Sequence, residues 1–202
     1  MGAPAPLDLF PLRSVLFPGA VLHLKVFEAR YLDLVGRCLR EARPFGVVCL
    51  SEGPEVGRDQ VRFETEGVLA HIESVDAEAA GLLRVRCRGG SRFALAGAAR
   101  QQADGLWVAD VAMQADDAVL APEPDLDPTV QALAHVIASL RNQGSLPFAE
   151  PLRLDDAGWI ANRWCEILPV PLPAKQKLMV LPDPQARLRL VHEYLKGKGV
   201  VR

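Results

Sequence analysis

The residue types that most often perform catalysis occur in this sequence, but they are scattered. No histidine stands beside a serine or cysteine that it could activate, and the four are His23, His71, His135 and His192. Ser91 follows two glycines, but Phe93 occupies the place of the second glycine in a Gly-x-Ser-x-Gly nucleophile elbow. The sequence therefore favours a protein that is not an enzyme. A triad assembled only by the fold, as in an uncharacterised hydrolase, is the weaker alternative.

The cysteines are spaced as buried thiols rather than as metal ligands. The four contain no Cys-x-x-Cys pair and no histidine at zinc-ligand spacing, and they are Cys38, Cys49, Cys87 and Cys165. Their apolar neighbours predict small buried hydrophobic side chains in a reducing compartment. No Gly-x-x-x-x-Gly-Lys-[Ser/Thr] motif is present to cradle nucleotide phosphates. We expect no metal, no cofactor and no catalytic residue.

Several charged and aromatic residues are candidates for binding instead. The acidic pairs Asp116-Asp117 and Asp155-Asp156 are explained by solvation and helix capping. Arg84, Arg86 and Arg88 alternate with apolar residues, so they share one strand face that could contact an acidic partner or RNA, unless it is simply a solvated face. The candidate binding residues are Phe27, Glu28, Arg30, Arg84, Arg86, Arg88 and Trp107.

Two of these candidates, Glu28 and Arg30, also have a purely structural interpretation. Glu28 favours the first turn of a helix, and Arg30 can bridge to a nearby carboxylate or carbonyl. The three tryptophans, Trp107, Trp159 and Trp164, are most simply core residues, and one left exposed would be a candidate for peptide contact.

Composition limits the partners and the location. The 202 residues have a formal net charge of -2, with 50% hydrophobic and 24% charged residues. Such a balance is ordinary for a globular protein and gives no electrostatic case for nucleic acid. No apolar run approaches the roughly 20 residues that cross a bilayer, and the first residues do not resemble a secretion signal. We expect a cytoplasmic protein that does not bind membranes.

The elements that must position these residues fall into two regions. A helix is predicted over 28–43, with an inward stripe of Tyr31, Leu34, Val35, Cys38, Leu39 and Ala42. Short strand patterns follow up to about residue 111, with a turn at Gly89-Gly90, and together they predict a compact mixed barrel. The first domain is predicted over 1–117.

The remaining residues, 118–202, predict a small helical bundle. An acidic, proline-bearing stretch at 116–125 suits a linker. Helices are predicted from Asp127, from Asp155 or Asp156, over about 173–180, and over 184–196 behind the cap Asp183-Pro184. The fold class is therefore α+β, with a β-rich barrel and one early helix before an all-α subdomain.

Three blocks of this sequence resemble the amino-terminal, substrate-binding domain of Lon proteases, which also occurs as a free-standing protein. The first combines Phe10-Pro11-Leu12, Leu16-Phe17-Pro18-Gly19 and Phe27-Glu28-Ala29-Arg30-Tyr31. The second pairs Gly67-Val68 with Gly90-Ser91-Arg92-Phe93, which is similar to the hairpin of that family. The third is the proline-rich elbow 168–178 with the following Leu181-Pro182-Asp183-Pro184 step.

The resemblance implies a fold and a function. It implies a PUA-like pseudobarrel followed by a helical subdomain, and a module that recognises unfolded or exposed polypeptide segments without an ATPase or a peptidase. A PUA-like nucleic-acid-binding module is the alternative. Neither the bound partner, the binding surface nor the oligomeric state follows from the sequence.

Overall fold

The computed structural model describes residues 4–53, 55, 61–145 and 147–202. The chain divides into two compact units, Met1–Asp116 and Asp117–Arg202. The first, the barrel unit, holds all the strands of the described residues and one helix, and the second, the helical unit, holds the other helices.

The strands of the barrel unit close into a ring. Among the described residues there are seven: β1 (Ala5–Leu12), β2 (Val21–Val26), β3 (Phe45–Glu52), β4 (Arg62–Ala79), β5 (Leu82–Leu95), β6 (Arg100–Gln101) and β7 (Trp107–Met113). Their order in the sheet is β2-β5-β4-β3-β1-β7-β6, and a further pairing joins β5 to β7. That pairing turns β5, β4, β3, β1 and β7 into a closed mixed barrel, in which β1 and β3 are parallel. The predicted barrel is confirmed.

The barrel interior is built around Phe93, which is 0% exposed and packs with Leu7, Leu9 and Val48. A Cβ atom on Gly67 would lie 2.3 Å from the carbonyl oxygen of Val47 and 2.6 Å from the Phe93 ring. Real Cβ atoms do not approach that closely, so only glycine lets this ring fill the barrel.

A tight turn leads into β2. In Phe17-Pro18-Gly19-Ala20, the Ala20 N–H donates to the Phe17 carbonyl at 3.0 Å, and Gly19 has a φ of 77°. Proline at the second place and a positive φ at the third define a type II turn. Gly89 sits against this turn: a Cβ there would lie 2.3 Å from the Phe17 oxygen.

The turn predicted at Gly89-Gly90 is wrong. Gly89-Gly90 lies within β5, which runs unbroken over Leu82–Leu95, and Arg92 is buried at 4% exposure. The glycines are needed for close approach instead, because a Cβ on Gly90 would lie 2.6 Å from His71 Nε2. The short strand patterns within 61–75 belong to one long strand, β4, with bulges in its pairing with β5.

The early helix, α1 (Ala29–Glu41), packs with the face that its spacing predicts. Tyr31, Leu34, Val35 and Cys38 are buried, but Leu39 is 53% exposed and Ala42, which follows the last helical residue, is exposed too, so the assignment of these two residues to the stripe was wrong. Leu39 lies at the margin of the helix face, one residue beyond Cys38, where the turn of 100° per residue carries it into solvent.

A buried carboxylate ties α1 to the sheet. Asp8 on β1 is 5% exposed and lies 2.8 Å from the Arg43 guanidinium and 3.6 Å from that of Arg37. Two cations thus satisfy the one carboxylate that β1 places under the helix.

The helical unit follows the predicted boundaries closely. A 3-10 turn (Pro124–Leu126) precedes α2 (Asp127–Asn142), α3 (Ala157–Ile167), α4 (Leu172–Val180) and α5 (Pro184–Gly197). Two of the predicted caps are present: the Asp156 carboxylate accepts from Gly158 N at 3.0 Å, and that of Asp183 accepts from Gln185 N at 2.9 Å. Asp127, expected to cap α2, is instead its first residue, and the N-cap Leu126 makes no side-chain cap bond.

Two arginines lie in the interior of the helical unit, each 0% exposed. The guanidinium of Arg187 on α5 lies against the Asp117 carboxylate at 2.6 Å, donates to Asn162 Oδ1 at 3.0 Å and reaches the carbonyls of Leu178, at 2.9 Å, and Leu181. That of Arg163 on α3 pairs with Glu166. Within the described residues, no helix is both long and apolar enough to cross a membrane.

Candidate functional site

A groove lined by aromatic side chains opens beside β2 and has a volume of about 230 Å³. Its apolar lining, which we call the aromatic groove, comprises Phe10, Leu12, Leu24, Val26, Phe27 and Tyr31. The rings of Phe10 and Tyr31 stack 3.9 Å apart with a 17° tilt and are almost fully buried, so they form a rigid floor. Phe27 is 54% exposed at the rim. An apolar concavity with an exposed aromatic is typical of a surface that binds polypeptide.

The same groove runs along an unpaired strand edge. β2 pairs with β5 on one side, and no strand of the described residues pairs with it on the other. The Gly89 N–H donates to the Ala20 carbonyl at 2.8 Å, and the register continues from there to Val26 against Leu83.

Because bonded and non-bonded pairs alternate in an antiparallel ladder, Leu22, Leu24 and Val26 bond to β5. The N–H and C=O groups of Val21, His23 and Lys25 therefore point away from β5. We call these the free edge of β2.

Phe27 and its neighbours form one structural unit at the mouth of the groove. Glu28 precedes the first turn of α1, and its carboxylate pairs with Arg30 at 2.9 Å. Arg30 is only 7% exposed, donates to the Gly105 carbonyl at 3.0 Å and stacks on Tyr31, 4.6 Å from the ring centre. This bridging to a carboxylate and a carbonyl is what the structural interpretation predicted. Arg30 thus holds the groove in place and does not itself reach solvent.

The three arginines of β5 share a face, as predicted, but they are paired. Glu73 on β4 lies 2.5 Å from Arg86 and 2.8 Å from Arg88, and Glu78 lies 2.5 Å from Arg84. The hydrogen bond from Arg84 lowers the pKa of Glu78, so the Glu78 carboxylate is ionised at neutral pH. This arginine face (Arg84, Arg86 and Arg88) therefore carries its own counter-charges.

A shallow hollow of about 550 Å³ lies over part of the arginine face. It is lined by polar residues of three neighbouring strands, and these are His23 and Lys25 on β2, Arg84 and Arg86 on β5, and Ser74 and Asp76 on β4. Because His23 and Lys25 also line the aromatic groove, β2 stands between the two concavities.

Trp107 lies apart from the aromatic groove. It is half-buried on β7 and meets the Phe63 ring edge-on, with centroids 5.4 Å apart. Trp159 and Trp164 are buried, at 9% and 4% exposure, as expected of core residues. The structure therefore groups Phe27 and Glu28 at one site and leaves Trp107 outside it.

The buried tyrosine of the groove floor and the buried cysteines have raised pKa values. Burial raises the pKa of Tyr31 to about 12, against the lowering effect of Arg30. Burial also raises the pKa of all four buried cysteines, to about 12 for Cys87 and Cys165. A thiol with a raised pKa is a poor nucleophile.

His192 is buried in the helical unit, where its Nδ1 lies 2.8 Å from Thr129 Oγ1. Within the described residues, no three acidic, histidine or cysteine side chains are grouped to hold a metal.

Sequence comparison identifies the class of this barrel and helical unit. Residues 6–197 match the family described as the ATP-dependent protease La (LON) substrate-binding domain. The match spans most of the 202 residues, so the chain belongs to that family. A search of curated protein sequences gives no match.

Solved structures agree with this assignment. The crystal structure of a Lon N-terminal domain protein from Xanthomonas campestris is 31% identical, with a TM-score of 0.75, and the alignment covers 94% of this chain and 98% of that one. The N-terminal domain of Mycobacterium avium complex Lon protease shares the fold, at 16% identity and a TM-score of 0.64, over 95% of this chain and 98% of that one.

Several groove residues were not among the predicted site residues. Phe10 belongs to a sequence motif and Tyr31 to the predicted buried stripe of the first helix, and no role was predicted for Leu24 or Lys25. The signal that could have found them is the alternation of β2, where buried Leu24 and Val26 flank exposed Lys25. What the pattern could not show is that the outer side of this strand is unpaired.

Proposed function

We propose that this protein is a non-catalytic module that binds extended polypeptide segments at the free edge of β2, with apolar side chains held in the aromatic groove. The observation that carries the proposal is the meeting of two features on one strand: backbone groups that pair with no strand of the described residues, and an apolar concavity beside them. Strand addition uses this combination, since backbone hydrogen bonds give affinity and pockets for alternate side chains give selectivity.

Family and chemistry support the same function. The family is named for substrate binding, and the 202-residue sequence contains no phosphate-binding P-loop. The thiols and the Tyr31 phenol have raised pKa values, which disfavours nucleophilic or acid–base chemistry at neutral pH. The carboxylates on the arginine face also favour polypeptide over nucleic acid, since phosphates would have to compete with Glu73 and Glu78. All four cysteines are free and buried, which supports a cytoplasmic location.

The test is binding of a fluorescently labelled, permanently unfolded polypeptide, measured by anisotropy. Phe27→Ser should weaken binding about tenfold, because one large apolar contact of this kind is worth about 1.5 kcal/mol or more. Leu39→Ser is the matched control: Leu39 is exposed to the same extent, 53% against 54%, but lies on α1 outside the groove lining. Equal binding by the two variants would contradict the proposal.

A further inference from the structure

The outward face of β2 carries bases and no acid. Across the ladder, His23 lies opposite Arg86 and Lys25 lies opposite Arg84. Two like charges directly opposite one another destabilise a strand pair. The β2–β5 ladder thus places Lys25 beside Arg84, and the two cations share the Glu78 carboxylate.

The carboxylates that relieve this charge lie on the far side of β5. Asp76 on β4 is opposite Arg84, and Glu73 and Glu78 on the same strand hold the arginines. Lys25 reaches Glu78 only at 3.7 Å, shares it with Arg84 and remains 66% exposed. Across the sheet, the charged residues of β4 are mainly acidic. Those of β5 are arginines that pair with acidic residues of β4, and those of β2 are basic with few acidic partners.

We propose that the segment added to the free edge of β2 carries acidic side chains on its outward face and apolar side chains on its inward face. This inference rests on the proposed function and specifies its substrate class. Successive side chains of a strand point to opposite faces, so one extended segment presents both sets at once. The inward set meets Leu24, Val26 and the aromatic groove. The outward set lies beside His23 and Lys25 and adds negative charge next to Lys25, which shares the Glu78 carboxylate with Arg84.

The same geometry disfavours a basic segment. A lysine beside Lys25 would add another positive charge to the row that already contains Arg84. A neutral segment would keep the backbone bonds and the apolar contacts without either effect. Charge therefore sets the order of affinity among acidic, neutral and basic segments, whereas the aromatic groove and the free edge of β2 bind all of them.

The experiment compares three short peptides that match the six residues of β2 in length. They share their apolar residues and carry Glu, Gln or Lys at the alternate positions. Anisotropy with the full chain should give affinities in the order Glu, Gln, Lys, with about tenfold between the extremes, or about 1.4 kcal/mol. The difference should shrink as salt is raised, since these charges are exposed.

The matched variants are Lys25→Glu and Lys177→Glu. Lys25→Glu should reverse the order of the peptides, whereas Lys177→Glu, an exposed lysine on α4, should leave it unchanged. If circular dichroism shows that Lys25→Glu is unfolded, Lys25→Gln replaces it. Lys25→Gln should reduce the difference in affinity between the peptides.

The outcomes separate this inference from the proposed function. Equal affinities for the three peptides would overturn the acidic preference. So would an order of affinities that changes neither with salt nor with the substitution of Lys25. In that case Phe27→Ser would still weaken all three if the groove binds polypeptide. If no peptide binds to the unaltered protein, both proposals fail.

Discussion

The interiors of the two units differ in what fills them. The centre of the barrel accommodates the Phe93 ring because Gly46 and Gly67 have no side chain, and Arg84, Arg86 and Arg88 lie on the outer face. The buried arginines of the barrel unit, Arg30 and Arg92, keep 7% and 4% of their surface exposed, whereas Arg163 and Arg187 in the helical unit are 0% exposed. Steric fit thus limits the centre of the barrel, whereas the helical unit must satisfy two fully enclosed charges. The same ion pair is worth little at the surface and a great deal when its loss leaves a charge buried.

The largest effect is expected at Arg187. Arg187→Met removes the guanidinium that lies against the Asp117 carboxylate, itself 15% exposed, and it removes donors from Asn162 and two carbonyls. The free energy of unfolding of the helical unit should fall by about 3–5 kcal/mol. Denaturant unfolding in a Trp107→Phe background measures it, because the remaining tryptophans, Trp159 and Trp164, both lie in this unit.

Arg189→Met is the control for this change. Arg189 lies on the same helix, and its side chain is 48% exposed, although it also pairs with Glu123 and Asp125. Its loss should cost about 1 kcal/mol or less. Similar losses of unfolding free energy at Arg187 and Arg189 would show that burial does not determine how much these ion pairs stabilise the helical unit.

The next effect tests the steric side of the comparison. Gly67→Ala places a Cβ 2.3 Å from a backbone oxygen, which cannot move without breaking the β3–β4 pairing. Overpacking of this kind should lower the free energy of unfolding by about 1–3 kcal/mol or more. Gly97→Ala has nothing within 4 Å of the added atom and should be nearly neutral. Thermal unfolding followed by circular dichroism compares the pair, and a neutral Gly67→Ala would be inconsistent with a tightly filled barrel.

A smaller effect depends on pH. Burial raises the pKa of Glu166 to about 7, although the Arg163 charge and hydrogen bond and the Lys175 charge lower it. In the unfolded chain the carboxyl titrates near 4.5, so between about 4.5 and 7 only the folded state holds this proton. The Glu166 carboxyl therefore makes the helical unit more stable as the pH falls through this window, by at most ~1.4 kcal/mol per pH unit.

The measurement is the slope of unfolding free energy against pH for the unaltered protein and for Glu166→Gln. The variant also loses its pairing with Arg163, so only the slopes are compared. A shallower dependence is expected for Glu166→Gln across the window. Identical slopes would mean that this carboxyl titrates alike in the folded and unfolded chain.

The smallest effect is expected on the arginine face. Glu73→Gln removes the partner of both Arg86 and Arg88, whose side chains are 40% and 31% exposed. Exposed pairs of this kind contribute about 1 kcal/mol or less, so the melting temperature should change only slightly. A loss comparable with that of Arg187→Met would remove the contrast between surface and interior.

Local signals predicted most of the helical unit. Asp183-Pro184 begins α5, Asp156 caps α3, and the proline run after Leu168 separates α3 from α4. Each depends on a few neighbouring residues, which a sequence displays directly. The bridging role of Arg30 was also predicted, because its possible partners were limited in kind.

Contacts between distant residues could not be predicted in the same way. Gly89-Gly90 reads as a turn until Phe17 and His71 are known to lie against it. Arg187 carries charge, and nothing in the local pattern shows that the carboxylate of Asp117, 70 residues earlier, will meet it inside the unit. The candidate groove depends on the missing neighbour of β2, which only the completed sheet reveals.

The central position of β1 determines when this protein can fold during synthesis. β1 pairs with β3 and also with β7, where Ala5 lies opposite Val111. While the chain leaves the ribosome, β1 therefore cannot pair with β7 until residues 107–111 have emerged. Contacts so far apart in sequence form slowly. Translation speed across this interval should accordingly affect the yield of native protein more than it would in the locally connected helices that follow.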